Sequence, residues 1–348
     1  SARRPLDFLA YGLGATEGFT AGSHREAMTL LASWGLPTAG GLAARGDLDA
    51  ILAHHDDLLA RRGELPFDVD GTVIKVDDFA TQKRLGQRSK SPRWASACKC
   101  PAEQASARVL DIEISVGRTG ALTPKAIIEP TFVGGVTVEN VTLHNGDEIE
   151  RLGIRVGSRV LVQRAGDVIP KISAVTEAGA GEPFAMPEAC PVCSTAVVRD
   201  EDEVVLRCPN RRCPAVLKRR IEHFVARGTL DVDGMGTKLI EQLTEGGLVT
   251  SLADLFALEA EQLAELPRMG EVSARNVVAA LEAARTRPFA RFLYALGIRH
   301  VGEHVAAIVA DRWPTLEALR AADAAAIEDV AEIGPTVAAS LVEWLADE

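Results

Sequence analysis

No stretch of this sequence approaches the ~20 consecutive apolar residues that span a bilayer, which excludes a membrane-spanning helix. The opening Ser1-Ala-Arg-Arg-Pro-Leu-Asp7-Phe-Leu-Ala-Tyr11 also lacks a secretory signal. Asp7 interrupts the apolar stretch and no small-residue cleavage site follows it, so the expected compartment is the cytoplasm. Surplus positive charge is missing too. The formal net charge is -11, which argues against a nucleic-acid partner unless local clusters override the sum. Gly12-Leu-Gly14 lacks the third glycine and the downstream acid of a dinucleotide fingerprint, which weakens an NAD-dependent oxidoreductase. What remains is ordinary for globular protein, with 47% hydrophobic and 25% charged residues in 348 positions. That length suits two or three domains.

Cysteine is scarce, six in all, yet four stand together as Cys190-Pro-Val-Cys193 and Cys208-Pro-Asn-Arg-Arg-Cys213. Two close pairs separated by 14 residues offer four thiolates at the spacing of a tetrahedral zinc site, and soft sulfur selects zinc over magnesium or calcium. Two disulfides are the alternative, disfavoured in a chain with no secretory features. Buried apolar cysteines are another, disfavoured by the polar residues and prolines around all four. Cys98 and Cys100 have no second pair near them and read as buried packing.

Beside the cluster the local charge reverses. Arg207, Arg211, Arg212, Lys218, Arg219, Arg220 and Arg227 are opposed only by Glu222, and residues 214–227 have the apolar spacing of a helix. Such a stripe suits phosphates, or is a solvated helical face. From Gly228 the chain becomes rich in Ala and Leu, helical in period and repetitive. Turns open helices at Gly234-Met-Gly236, Met269-Gly270, Ile298-Arg-His-Val-Gly302 and Ile333-Gly334, and the last glycines are spaced 34, 32 and 32 residues apart. A fixed period marks a repeated supersecondary unit. A glycine hairpin lets backbone N–H groups and a helix N-terminus approach a phosphate oxygen. Four of them would track a nucleic-acid backbone without reading bases. A protein-binding solenoid is the alternative, though it would not need glycine at each helix start. These units resemble the helix-hairpin-helix motif of DNA repair and replication proteins. Leu230-Asp-Val-Asp-Gly234-Met-Gly236 fits best; the second hairpin has Arg268 and Met269 where the first glycine would stand, which predicts a weaker phosphate contact there. The fourth, Glu332-Ile-Gly334, has a single glycine too.

Upstream, residues 104–182 read as β-structure. Val109 to Val116 alternates, a turn falls at Gly117-Arg-Thr-Gly120, and short strands are predicted at Lys125 to Ile128, Val136 to Leu143 and Arg159 to Arg164. Short strands with glycine turns suggest a small barrel, most simply an oligonucleotide-binding (OB) fold whose cations would be Arg118, Arg164 and Lys171. In residues 1–103, Phe67-Asp-Val-Asp70-Gly-Thr-Val-Ile-Lys75-Val is a predicted strand with Val73 and Lys75 on one face. A second lysine follows in Trp94-Ala-Ser-Ala-Cys-Lys99-Cys-Pro-Ala-Glu103. Lysines among apolar residues are costly unless they meet a charge. With Asp68 and Asp70 upstream, they point either to a nucleotide phosphate aided by a metal ion or to a pair of structural salt bridges.

The motifs Asp70-Gly-Thr-Val-Ile-Lys75 and Trp94 to Lys99-Cys-Pro-Ala-Glu103 resemble the fourth and fifth nucleotidyltransferase motifs of the bacterial NAD-dependent DNA ligases. Val116-Gly-Arg-Thr-Gly120, Thr142-Leu-His-Asn145 and Arg164-Ala-Gly-Asp-Val-Ile-Pro170 are similar to that family's OB domain, and the cysteines and hairpins follow in its order. The resemblance implies a multidomain α+β chain. Its parts would be the C-terminal half of an adenylation (nucleotidyltransferase) domain (1–103), an OB-fold barrel (104–182), a four-cysteine zinc finger with a basic helix (183–227) and four helix-hairpin-helix motifs (228–348).

It also implies roles. Tyr11 lies beside the adenine, Lys75 and Lys99 contact the adenylate phosphate, Asp70 attends a catalytic Mg2+ or Mn2+, and Arg62, with Arg61 beside it, serves adenylate chemistry. Arg118, Arg164, Val168 and Ile169 hold the duplex, as do Gly234, Gly236, Gly270, Gly302 and Gly334. Cys190, Cys193, Cys208 and Cys213 bind structural zinc. NAD is the AMP donor, and the partner is nicked double-stranded DNA, bound by a monomer at the nucleoid. Cys98 and Cys100 depart from the bulky residues usual beside the second lysine, which bears on pocket shape. The largest departure is the missing Lys-x-Asp-Gly, whose lysine forms the covalent adenylate. The nearest sequence, Lys75-Val-Asp77-Asp78, lacks the glycine. The expectation is a C-terminal two thirds without a terminal BRCT domain, unable to self-adenylate. A non-catalytic DNA-binding protein built from the same modules is the competing reading.

Overall fold

A computed structural model of the chain describes residues 7–18, 21–65, 67, 69–88, 91–100, 102–164, 169–199, 203–210 and 212–346. Asp68, Val168 and Arg211 lie outside the described residues. The chain forms two compact units: residues 1–105 with 132–137 and 162–170, and residues 106–131 with 138–161 and 171–348.

In the first unit, short polar side chains start each helix by accepting from backbone N–H groups that have no partner within the helix. Ser23 caps α1 (His24–Ser33), Asp47 caps α2 (Leu48–Ala60) and Asp78 caps α3 (Phe79–Leu85). Strands β1 (Gly71–Lys75) and β2 (Ala95–Lys99) pair antiparallel, with Gly71 opposite Lys99 and Lys75 opposite Ala95. Opposed residues share a face, so Val73, Lys75, Ala97 and Lys99 lie on one side and Thr72, Ile74, Ser96 and Cys98 on the other. The second face meets α2, where the buried His55 places Nδ1 2.9 Å from Thr72 Oγ1 and Nε2 3.5 Å from Cys98 Sγ. Cys98 and Cys100 are half-buried rather than buried.

A five-stranded sheet follows, with β3 and β4 antiparallel, consistent with an OB fold. Its strands are β3 (Glu103–Val116), β4 (Leu122–Val133), β5 (Val136–Thr142), β6 (Arg159–Arg164) and β7 (Lys171–Glu177), in the order β5-β4-β3-β6-β7. Alternation carries Val109, Val116, Leu122, Ala126, Ile128, Val160 and Val162 into its core. The sequence pattern did not mark β7, nor α4 (Gly146–Leu152), which Asn145 caps.

The finger adds β8 (Val198–Arg199) and β9 (Leu206–Arg207), then α5 (Pro214–Phe224) with proline at its first position. Its cysteines have no core of their own. Cys190, Cys208 and Cys213 share one small apolar cluster with Val116, Leu122 and Val216. The Gly117–Gly120 turn abuts them closely: Cys208 N–H donates to Gly120 O at 2.9 Å. A Cβ on Gly120 would lie 2.3 Å from Cys208 O, and its φ of +79° is itself unfavourable to other residues.

The remainder is helical: α6 (Thr237–Glu245), α7 (Ala260–Ala264), α8 (Glu271–Ala284), α9 (Phe289–Ala295), α10 (Glu303–Arg312), α11 (Leu316–Arg320), α12 (Ala324–Glu328) and α13 (Pro335–Ala346). Two cores divide it. Phe224, Leu230, Ile240, Leu243, Val277 and Leu281 belong to the first, and Leu293, Ile298, Val309, Leu319, Ile327 and Leu341 to the second. Phe224 carries α5 into the first core. Among the described residues no helix is long and apolar enough to cross a membrane.

Candidate functional site

The exposed face of the β1–β2 ladder carries both predicted lysines. Four residues of register separate them, roughly 13 Å along the strands. Their environments differ. Lys99 donates to the Asp70 carboxylate, whose acid that hydrogen bond chiefly holds below the usual range, against burial and with help from the charges of Lys99 and Arg62. Asp70 is therefore ionised and able to serve a cation, since Mg2+ commonly takes one or two carboxylates plus substrate oxygens. Arg62 Nη1 donates to Glu103 at 3.1 Å, whereas Arg61 turns back to Asp57 at 2.6 Å. Of the two, Arg62 is the arginine whose charge acts on Asp70. Glu103, which the sequence did not single out, also accepts from Gly134 N–H at 3.0 Å, and the Gly134 carbonyl accepts from Arg164.

Lys75 has no carboxylate partner among the described residues. Its ammonium donates to Tyr11 O at 2.9 Å and to His24 Nε2 at 3.3 Å, with the exposed Tyr11 ring 5.6 Å away. Burial lowers its affinity for the proton. The structure therefore separates two alternatives the sequence had left level: Lys99 forms a salt bridge, and Lys75 forms none among the described residues. His24 and Glu103 could not be read from sequence because their partners lie 51 and 41 residues away. Ser23 followed by Glu26 at the third helical position signals only that a helix begins there.

The four finger sulfurs lie within 4.8 Å of one another. Across the two sequence pairs, Cys190 to Cys213 is 3.8 Å and Cys193 to Cys208 is 3.5 Å. Zn–S bonds of about 2.3 Å in a tetrahedron require sulfurs about 3.8 Å apart, so the donors fit zinc. All six cysteines are free thiols, which removes the disulfide alternative. The Thr195 hydroxyl holds the Cys193 thiol down to about 6, while burial pushes Cys208 up to about 12. A cation shared by all four would favour the thiolate at each.

The hairpins share one backbone plan. Gly236, Gly270 and Gly302 are the N-caps of α6, α8 and α10, and Gly334 directly precedes α13. Two residues before each, Gly234, Arg268, His300 and Glu332 are all left-handed, at φ of 86°, 66°, 62° and 71°. Arginine, histidine and glutamate thus make the same turn as the first glycine. The weaker second hairpin expected from its sequence has no counterpart in the backbone. A Cβ on any of the four helix-start glycines would meet nothing within 4 Å. Neither φ nor internal packing demands glycine there, and no side chain caps the starts of α6, α8 and α10. The backbone donors stand open to an outside ligand.

Three cations of the basic stripe are held in internal pairs. Lys218 binds Glu241, Arg219 meets Glu222 at 2.8 Å, and Arg207 donates to Glu203 and, at 3.0 Å, to Thr119. Glu203 also accepts from Arg299 of the third hairpin at 2.6 Å. Arg118, Arg207, Arg299 and Gly302 line a cavity of about 330 Å³. Arg118 Nη1 is buried there without a hydrogen-bond partner among the described residues, and it would lie 2.9 Å from a Cβ on Gly297. Ile169 is 72% exposed.

Comparison with known proteins matches the chain module by module. Family models match for the NAD-dependent DNA ligase adenylation domain (residues 1–103), the NAD-dependent DNA ligase OB-fold domain (106–182) and the NAD-dependent DNA ligase C4 zinc finger domain (189–215). A SAM-like helix-hairpin-helix tandem matches residues 228–283 and a helix-hairpin-helix motif residues 291–348. A DNA ligase of Desulfosudis oleivorans is 46% identical over 352 residues, covering 100% of this chain and 52% of the relative. The chain spans about half the length of the curated relative it matches.

Proposed function

The chain belongs to the NAD-dependent DNA ligases, and on that premise we propose that it forms the adenylate-holding strands and the DNA-gripping modules of a nick-sealing enzyme. In the whole reaction NAD adenylates the enzyme, AMP passes to the 5′-phosphate at a nick, and the 3′-hydroxyl displaces AMP. Lys75 and Lys99 would hold the adenylate phosphate as compact point charges, beside a base stacked on Tyr11. Asp70 would help to hold Mg2+ or Mn2+. Lys99 chiefly, with a smaller contribution from Arg62, would keep Asp70 ionised. Zinc on the four cysteines would fix the finger, leaving no open position for substrate. Arg118, Arg164, Val168, Ile169 and the open hairpin donors would grip the duplex by its backbone. We assign the module boundaries as 1–103, 104–182, 183–227 and 228–348, a monomer as the working form and the cytoplasm as its compartment.

One observation carries the enzymatic half of this reading. Lys75 is a partly desolvated cation facing outward with no carboxylate partner among the described residues, and a buried cation without an anion is costly unless a ligand supplies one. The test is sealing of nicks that already carry the 5′-adenylate. Lys75→Ala and Lys99→Ala are each expected to slow sealing by at least ~100-fold, as loss of a charge-stabilising group does, while DNA affinity changes little. Variants that alter only DNA affinity would establish the non-catalytic binding reading instead.

A further inference from the structure

His24 has no part in the assignment above, yet it is built against Lys75. It is the first residue of α1, and this helix start is fastened to the segment that follows β1. His24 N–H donates to Asp77 O at 2.8 Å, Phe79 N–H to Gly22 O at 3.0 Å and Arg25 N–H to the Asp77 carboxylate at 2.9 Å. The imidazole stands edge-on to Phe79, centroids 6.4 Å apart, with Nε2 3.3 Å from Lys75 Nζ. An ammonium has three donors and no acceptor, so Nε2 is the acceptor and the ring proton sits on Nδ1. The Tyr11 carbonyl takes a second donor at 2.9 Å.

We infer that His24 is a positioning residue for Lys75: its neutral imidazole and the Tyr11 carbonyl take two of the three ammonium donors, and so fix the direction of the third toward the nucleotide phosphate. The inference rests on the reading that Lys75 meets a phosphate. Two hydrogen bonds on a tetrahedral ammonium determine the third N–H direction, whereas an unheld ammonium would rotate. The same acceptors compensate for water lost from a half-buried cation without neutralising it, as a carboxylate would.

The charged groups facing His24 are Lys75 from β1 and Asp77 from the turn after it, and Asp77 is itself 4.0 Å from Arg45. Burial first, then the charge of Lys75, hold the imidazole below its ordinary range, and Asp77 opposes them. The ring is neutral at pH 7. Acidification through the lowered value protonates it, removes the acceptor and sets a second cation against the first.

Single-turnover sealing of a pre-adenylated nick by the full chain tests this, with the unmodified chain measured first. His24→Leu is expected to slow sealing by about tenfold to a hundredfold, the range for one hydrogen bond to a charged group, with DNA affinity unchanged. His24→Gln, which offers an amide oxygen from the same side, should recover most of that rate. The unmodified chain should lose activity as pH falls through the lowered His24 value, beneath the ordinary imidazole range, and His24→Gln should lack that limb. Equal rates for all three proteins would overturn the inference, and so would an equal loss in Leu and Gln variants. NMR titration of the His24 ring tests the contact without activity. Its pKa should lie below the ordinary range and rise in Lys75→Met, and a value indifferent to Lys75 would overturn the inference. If the unmodified chain cannot seal, the reading that Lys75 serves sealing in this chain fails, and the NMR result decides the contact by itself.

Discussion

Glycine caps a helix less well than serine or aspartate, so its presence at the start of α6, α8 and α10 costs a little helix stability that another residue would restore. Gly270→Ser should fold normally and melt at the same temperature or slightly higher, since the gain is a few tenths of a kcal/mol. Its DNA affinity should nevertheless fall, with the slope of log affinity against log salt flattened by about 0.9 for one lost phosphate contact. Calorimetry and fluorescence anisotropy across a salt series would show both, and unchanged affinity would mean that no phosphate approaches this hairpin. Asp70 supplies a second residue-scale prediction. Its folded pKa is depressed, so its contribution is present above the ordinary carboxylate value and is lost as pH falls through the lowered one. Lys99→Met should let the Asp70 carboxyl titrate nearer its ordinary value by NMR. Both side chains are about half exposed, so stability should shift only slightly.

Among the elements, the finger is the one that cannot hold itself together. Its cysteines pack with Val116 and Leu122 of the barrel strands and Val216 of α5, so zinc bound there would fix the joint as well as the finger. Apparent zinc-binding energies of ~10 kcal/mol are ample for that role. Chelation should expose residues 183–213 to protease, lower the melting temperature and weaken DNA binding, and a zinc-free chain with unaltered affinity would contradict it. Gly120→Ala attacks the same joint without touching a ligand. The added carbon meets the Cys208 carbonyl at an unfavourable φ, and strain of this kind costs about 1–3 kcal/mol. The finger cysteines were legible in sequence because metal ligands come in spaced pairs. The turn that docks on them was legible only as a turn, because its partner lies 88 residues on.

For the molecule as a whole, one carboxylate ties three modules within the second unit. Glu203 of the finger accepts from Arg207, which also reaches Thr119 of the barrel turn, and from Arg299 of the third hairpin. Arg207 chiefly holds its acid below the usual range. Glu203→Gln keeps the shape but weakens both charged hydrogen bonds, each worth about 1.5–3 kcal/mol. Scanning calorimetry should then show the hairpin region melting separately from the barrel, and a single unshifted transition would rule this tie unimportant. The 348 residues contain no Lys-x-Asp-Gly. Incubated with NAD alone, the purified chain should gain no covalent AMP, which mass spectrometry would check.

Local physics made much of this readable in order of residues alone. Zinc ligands, capped helices, alternating strands and a hairpin period depend on neighbours within a few positions, and so Cys190 to Cys213, β1 with Lys75 and the four helix starts could be placed from residue spacing. The sequence also showed a glycine at each of those helix starts, though not that the space beside it is open. Tertiary structure decided the rest, because charge and burial depend on what the chain brings back from far away. It gave Lys99 a carboxylate, left Lys75 with neutral acceptors among the described residues, separated Arg62 from Arg61 and set Arg207, Lys218 and Arg219 of the basic stripe against internal acids. It also turned His24, an unmarked residue at a helix start, toward Lys75.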